Sequence, residues 1–193
     1  MQASPIKLVV GLGNPGEKYN ETRHNAGFLF LDELCREFNA ELKTDKNCFG
    51  KTVKFELDGG TVRLLAPDTF MNLSGKAVVA AMNFYKINIA EVLVVHDELD
   101  LPPGIAKLKF SGGHGGHNGL RDIIAKTGSK DFARLRIGIG HPGHASAVTG
   151  FVLKKAPKQD HQLMLDSFIE ASRVMPKMFA GEIQLAMNEL HTR

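Results

Sequence analysis

The stretch Val92–Val95, VLVV, is a short, unbroken apolar run, and the polar triplet His96-Asp97-Glu98 follows it at once. Its length suits a strand and is far too short for a buried helix. A strand with no polar alternation has both faces covered, which points to a largely parallel sheet held between helices. Ile6 to Val10 has the same character. Between such runs lie segments with helical periodicity. Ala26 to Phe38 places Phe28, Leu31, Leu34 and Phe38 on one face. Ser74 to Tyr85, Asn118 to Lys126, Gln159 to Phe179 and Glu182 to Leu190 also read as helices. One interruption breaks the alternation. Phe49 to Leu57 has period two, with Val53, Phe55 and Leu57 on one side, and Asp58-Gly59-Gly60 turns it into Thr61 to Ala66 as a hairpin. Ile105 to Phe110 alternates, and Leu135 to Ile139 is a further strand. The expectation is an α/β chain: one domain over residues 1–193, a three-layer fold with a twisted mixed β-sheet flanked by helices. Lys154 to Lys158, KKAPK, reads as a linker into the C-terminal helices and not as a domain boundary.

Bulk properties exclude several classes. The hydrophobic share of 43% and charged share of 23% are those of an ordinary globular protein. No apolar run approaches the ~20 residues that a membrane-spanning helix needs. The first residues, MQASPIKLVVGLGNPG, lack a charged leader region and a small-residue cleavage site, so no signal peptide is expected. Cys35 and Cys48 are the only thiols, too few for a disulfide framework, which makes a reducing cytoplasm the expected location. A net charge of +3 permits a phosphate-binding patch without requiring one.

The loop after the first strand, GLGNPG, has the glycine spacing of a dinucleotide-binding turn. Its surroundings do not fit that reading. A helix should open on the loop and aim its N-terminus at a pyrophosphate, yet helical periodicity waits until about Asn25. The acid expected about 20 residues further on falls at Arg36-Glu37, inside a helix. The next strands form a hairpin instead of a parallel return. A tight turn that presents Asn14 is the better account.

Polar residues gather at the loops. Asn14 follows the first strand. Tyr19, Arg23, His24 and Asn25 fill the run before the first helix, Phe70-Met71-Asn72 precedes the second, and SGGHGGHNG (Ser111–Gly119) leads into the third. Ligands of open α/β sheets bind beyond the carboxyl ends of strands, where Asn14 and Asp97 both lie. If their strands are parallel, the two side chains meet. A neutral His can take a proton from water near pH 7, provided a carboxylate fixes its tautomer and stabilises the cation formed. Amides can donate to a carbonyl oxygen as charge builds on it. His24 as base, Asp97 as orienter and Asn14, Asn72 and Asn118 as positioning amides therefore make a hydrolase without a covalent nucleophile. Plainer roles exist for each: a cap or surface residue for His24, a turn residue for Asp97, an N-cap for Asn118, core for Phe70 and Met71, and surface packing for Tyr19. No G-x-S-x-G elbow is present, and Cys35 falls beside an apolar helix face, where thiols are usually inert. His114-x-x-His117 and His141-x-x-His144 have pair spacing that suits a metal, but the glycine-rich surroundings offer no carboxylate or Cys to complete a site, so no metal is expected.

Five blocks together resemble a known family. They are NPG-x-x-Y-x-x-TRHNAG (Asn14–Gly27), TFMNLSG (Thr69–Gly75), HDELDLPPG (His96–Gly104), GGHGGHNGL (Gly112–Leu120) and RLRIGIGHPG (Arg134–Gly143). In this order they are similar to bacterial peptidyl-tRNA hydrolase. The resemblance implies a monomeric enzyme without cofactor or metal. It would cleave the ester between a peptide and the 3′ ribose of tRNA, recycling tRNA released from stalled ribosomes. It implies His24 as general base on water, Asp97 as its support, and Asn14 as discriminator between N-blocked and free aminoacyl-tRNA. Asn72 and Asn118 match substrate-positioning amides, Tyr19 and Phe70 match residues lining the site for the 3′ end, and Met71 matches a wall of the peptide channel. Lys109 and Arg136 match a basic pair that grips the tRNA 5′ phosphate. Ser111 departs from the pattern, standing where the family commonly has glycine.

The basic pair also has a footing in the sequence itself. Lys107 and Lys109 alternate on one strand and share a face, Arg136 lies on another strand, and Arg121 on the helix between. Such a patch, set apart from His24, would read tRNA by its backbone. The alternatives are a solvated strand face or a non-catalytic RNA-binding module using the same patch.

Overall fold

The computed structural model describes residues 3–192. Seven strands form one sheet: β1 (Leu8–Gly11), β2 (Lys43–Asp45), β3 (Gly50–Leu57), β4 (Gly60–Pro67), β5 (Val92–Glu98), β6 (Ala106–Phe110) and β7 (Ala133–Gly138), in the spatial order β2-β3-β4-β1-β5-β7-β6. The central strands β4, β1, β5 and β7 run parallel, while β2, β3 and β6 are antiparallel to their neighbours. The expected mixed sheet is thus parallel where it is apolar and antiparallel at its edges.

Among the described residues, six α-helices cover it: α1 (Ala26–Glu37), α2 (Ser74–Tyr85), α3 (Asn118–Thr127), α4 (Val148–Val152), α5 (Lys158–Phe179) and α6 (Ile183–His191). The pleat of β1 and β5 explains the layering. Val9, Leu93 and Val95 point to one side and pack with Phe30, Leu31, Leu34 and Phe168 of α1 and α5. Leu8, Val10, Val92 and Val94 point to the other and pack with Ala77, Val78, Ala81, Leu120 and Ile123 of α2 and α3. Each fully buried Leu, Val or Phe contributes roughly 1.5–3 kcal/mol relative to exposure. This is why runs without polar alternation select the centre of the sheet.

Several details differ from the periodicity reading. In α1 the fully buried aromatic is Phe30, edge-on to Phe168 at 5.9 Å, while Phe28 and Phe38 are only partly buried. Leu57, on the same side of its strand as Val53 and Phe55, is exposed at the end of the hairpin. β5 continues through His96, Asp97 and Glu98, whose backbones pair with Arg136, Ile137 and Gly138 of β7. The polar triplet looks like a loop in sequence, but its backbone is still in the ladder.

β1 and β5 are parallel neighbours, with Gly11 opposite Val95. Their carboxyl ends, with those of β4 and β7, gather the loops that begin at Leu12, Asp68, Leu99 and Ile139. The first turn of α1 rests directly on this rim. A Cβ on Gly27 would sit 2.2 Å from Leu12 N and 2.5 Å from Val95 O, and one on Gly11 would sit 2.4 Å from Gly27 O. Only glycine allows that approach, and it brings the residues just before α1 over the ends of β1 and β5.

Candidate active site

The segment Thr22–Asn25 is pinned from several sides. Thr22 bridges to Lys155, Arg23 N–H donates to Lys154 O, and the Arg23 guanidinium donates to Phe151 O at 2.9 Å while lying over the Phe151 ring. Asn25, fully buried, accepts from Asn14 N–H at 2.8 Å and donates to Asn14 O at 3.0 Å. The polar run is therefore rigid, and it holds His24 and Asn14 in one frame.

His24 Nδ1 lies 2.9 Å from Asp97 Oδ2 and 3.1 Å from Oδ1. A carboxylate only accepts, so Nδ1 carries the proton and the Nε2 lone pair is left as the basic atom. His117, the N-cap of α3, completes the arrangement. Its Nδ1 accepts from Gly119 N–H at 3.1 Å and Leu120 N–H at 3.4 Å, which places its proton on Nε2, donated to Asp97 Oδ1 at 2.8 Å. One buried carboxylate thus serves two imidazoles. His96 adds a third ring behind them: its Nδ1–H donates to Asp97 O at 2.8 Å, and burial pushes its imidazole down to about 3, so it stays neutral.

The electrostatics follow from burial against pairing. Burial alone would push the Asp97 carboxyl up, but His24 and His117 outweigh it and hold the carboxylate well below its usual range. Burial works against a charged His24, but the Asp97 charge and hydrogen bond prevail and raise its pKa above the ordinary histidine value. The imidazolium is the form Asp97 stabilises.

These groups border a cavity of about 660 Å³. Asn14, His24, Phe70, Met71, Asn72, Asp97, Asn118, Lys109 and Arg136 all line it. Asn14 Oδ1 accepts from Met71 N–H at 2.7 Å, which fixes its amide with the NH₂ as the donor end. Asn118 Oδ1 accepts from Arg121, leaving its NH₂ available in the same way. Phe70 is 56% exposed at the cavity edge, whereas Met71 is buried. Tyr19 and Lys107 are not among the lining residues. Tyr19 sits on a short turn with Lys18 over its ring, and Lys107 is on the exposed face of β6.

The basic residues alternate onto the sheet face opposite to that of Asp97, yet two of them reach the cavity that His24 lines. In the antiparallel register Lys107 faces Arg136 and Lys109 faces Arg134, so all four share one sheet face, and Lys109 and Arg136 border the same cavity as His24. Arg134 is buried and committed: its guanidinium donates to Gly113 O at 2.6 Å, to Lys130 O at 3.2 Å and to Gly112 O, which holds the loop carrying His117.

A model of the peptidyl-tRNA hydrolase family matches residues 8–193. The chain belongs to the peptidyl-tRNA hydrolase family. A curated peptidyl-tRNA hydrolase of Teredinibacter turnerae is 55% identical over 190 residues, covering 98% of each chain. That of Pseudomonas entomophila is 55% identical over 187 residues, covering 96% of each. The crystal structure of peptidyl-tRNA hydrolase from Acinetobacter baumannii superposes with a TM-score of 0.92 at 46% identity, covering 96% of this chain and 94% of that one. Among the described residues, no helix is long and apolar enough to cross a membrane.

The geometry shows a role for His117 that the residue reading does not. His117 entered that reading only as half of a metal-type pair with His114. Its neighbour Asn118 was weighed as an N-cap, a place that His117 itself occupies. With His24 and Asp97, His117 offers metal-type ligand atoms within 4.8 Å of one another, but direct hydrogen bonds already join them to the carboxylate. Ser111 has φ 64°, in the left-handed region that glycine adopts without strain, and its hydroxyl donates to Asp131 Oδ1 at 2.7 Å.

Proposed function

We propose that His24 is the general base of an ester hydrolase acting on peptidyl-tRNA, with Asp97 as its orienting partner. The observation that carries this reading is the hydrogen bond from His24 Nδ1 to Asp97, which leaves Nε2 as a lone pair at the cavity. Water held at Nε2 attacks the ester carbonyl as its proton passes to His24, and Asp97 stabilises the imidazolium formed. The tetrahedral intermediate then expels the 3′-ribose oxygen, which takes the proton back from His24. Free tRNA and a peptide carboxylic acid leave, and the acid loses its proton to solvent. The NH₂ groups of Asn14, Asn72 and Asn118 surround the reacting carbonyl and supply the donors its oxyanion needs.

The substrate's ends follow the cavity's chemistry. Phe70, with Tyr19 beyond the rim, takes the 3′ terminal base by stacking, and Met71 forms the wall of the peptide channel. Asn14, at the junction of the two, distinguishes N-blocked from free aminoacyl-tRNA. Lys109 and Arg136 hold the 5′ phosphate at the acceptor end, with Lys107 adding charge on the same face. The enzyme acts as a monomer, and the two unpaired buried thiols, Cys35 and Cys48, suit a cytoplasmic location.

Hydrolysis of N-acetyl-aminoacyl-tRNA in the presence of EDTA tests the assignment. His24→Ala is expected to lose at least about 10²-fold in turnover while still binding tRNA. Unchanged turnover would remove His24 from the mechanism, and no turnover by the wild-type chain would leave a binding module.

A further inference from the structure

Arg136 is not a free cation. Its Nε–H donates to Oε1 of Glu98 at 2.8 Å, and its Nη2 lies 2.8 Å from the same oxygen in an ion pair. Both side chains are about one-fifth exposed, at 22% and 21%, and both border the cavity. Glu98 follows Asp97 on β5, so the alternation of the strand turns it away from the His24 side and toward the basic face of β7.

The arrangement has two consequences. A guanidinium has five N–H groups in a rigid plane. Glu98 takes the side-on pair, which leaves both Nη1 hydrogens and one on Nη2. Those form the end-on fork that suits two oxygens of a phosphate. Glu98 therefore aims the fork. It also cancels part of the charge: Arg134 is buried against backbone carbonyls, so Lys109 is left as the lining Lys or Arg that has no carboxylate or backbone partner among the described residues.

We infer that Glu98 is a specificity-determining residue that orients Arg136 for a terminal phosphate while holding its affinity down. A ligand must then bring a concentrated negative charge to the fork to bind well, and product tRNA can leave. The inference rests on the reading of Lys109 and Arg136 as the 5′-phosphate site.

Because a single oxygen, Oε1, meets both Nε and Nη2, Glu98→Gln keeps that acceptor and removes only the charge, whereas Glu98→Ala removes both. Each change is placed in a His24→Ala background so that binding is read without turnover. The probe is N-acetyl-aminoacyl-tRNA, either with its 5′ phosphate or treated with phosphatase. Glu98→Gln should tighten binding of the phosphorylated form about fivefold at low salt and leave the dephosphorylated form within about twofold, as expected for one local charge near a partly exposed site. Glu98→Ala should bind the phosphorylated form more weakly than Glu98→Gln. If Glu98→Gln fails to tighten binding, or tightens both forms equally, the inference is overturned and the phosphate-site reading stands. If Ala matches Gln, Glu98 does not orient Arg136 and the proposal fails. If the His24→Ala parent itself ignores the 5′ phosphate, the phosphate-site reading falls and takes the inference with it.

Discussion

His117 performs two tasks with its two ring nitrogens. Nδ1 caps α3 and Nε2–H steadies Asp97. The tasks separate by substitution. Asn is a good N-cap but too short to reach the carboxylate, so His117→Asn should keep the fold while losing the bond to Asp97. A hydrogen bond to a charged partner contributes about 1.5–3 kcal/mol to stability, so the melting temperature should fall by roughly 2–4 °C for each kcal/mol, and kcat/KM should fall by roughly 10- to 100-fold as Asp97 loses a donor. His117→Ala should lose activity similarly and also about 1 kcal/mol of stability from the missing cap. Thermal melts and steady-state kinetics on both variants check this, and full activity in His117→Asn would dismiss the contact as idle. At this scale the site was partly legible. Asn14 and Asp97 stand out because polar residues at strand ends need a reason to be there, and His24 because it fills a polar run just before the first helix. His117 was hidden because its two roles depend on a helix start meeting a strand end 20 residues away, and spacing along the chain carries no sign of that. Arg134 was hidden for the same reason, since its bonds run to carbonyls that any residue type would present.

Among the elements, the first turn of α1 is the most demanding. It meets β1 and β5 backbone to backbone at Gly27, and the residues immediately before it carry His24. Gly27→Ala would force a Cβ against Leu12 N and Val95 O, neither of which is a flexible side-chain end. Overpacking of this kind typically costs about 1–3 kcal/mol, which in a chain of this size lowers the melting temperature by roughly 2–4 °C for each kcal/mol. Activity should fall further than stability because α1 must lift away from the strand ends and take His24 off Asp97. A Gly27→Ala protein with wild-type melting and turnover would contradict the close approach. The sequence revealed the long elements well. It did not reveal β2, whose Lys43-Thr44-Asp45 lies exposed at a sheet edge and has no apolar pattern, or α4, which is too short to show a period. The end of β5 was missed for a physical reason: hydrophobic patterning reports side-chain burial, whereas the ladder through Asp97 is a property of the backbone.

For the whole molecule, a parallel sheet centre brings four strand ends to one rim, and helices on both faces close it from the sides. That architecture follows from short runs such as VLVV, which are stable only when covered twice. The register that sets His24 against Asp97 does not follow from composition or period. It depends on the glycine contacts of α1 and the anchoring of residues 22–25 to residues 151–155. The central claim is that this long-range meeting tunes His24 as a base, and the pH dependence of kcat/KM reads it directly. Turnover needs neutral His24, so activity should rise with pH through the pKa of the folded enzyme. Burial opposes the imidazolium, but Asp97 outweighs it and raises that pKa, so the acidic limb of the wild type should lie above the ordinary histidine value of about 6.5. In Asp97→Asn the charge is gone and burial remains, so the limb should move to lower pH while the maximal rate drops by about 10²-fold or more. An acidic limb at the same pH in both proteins would contradict the account.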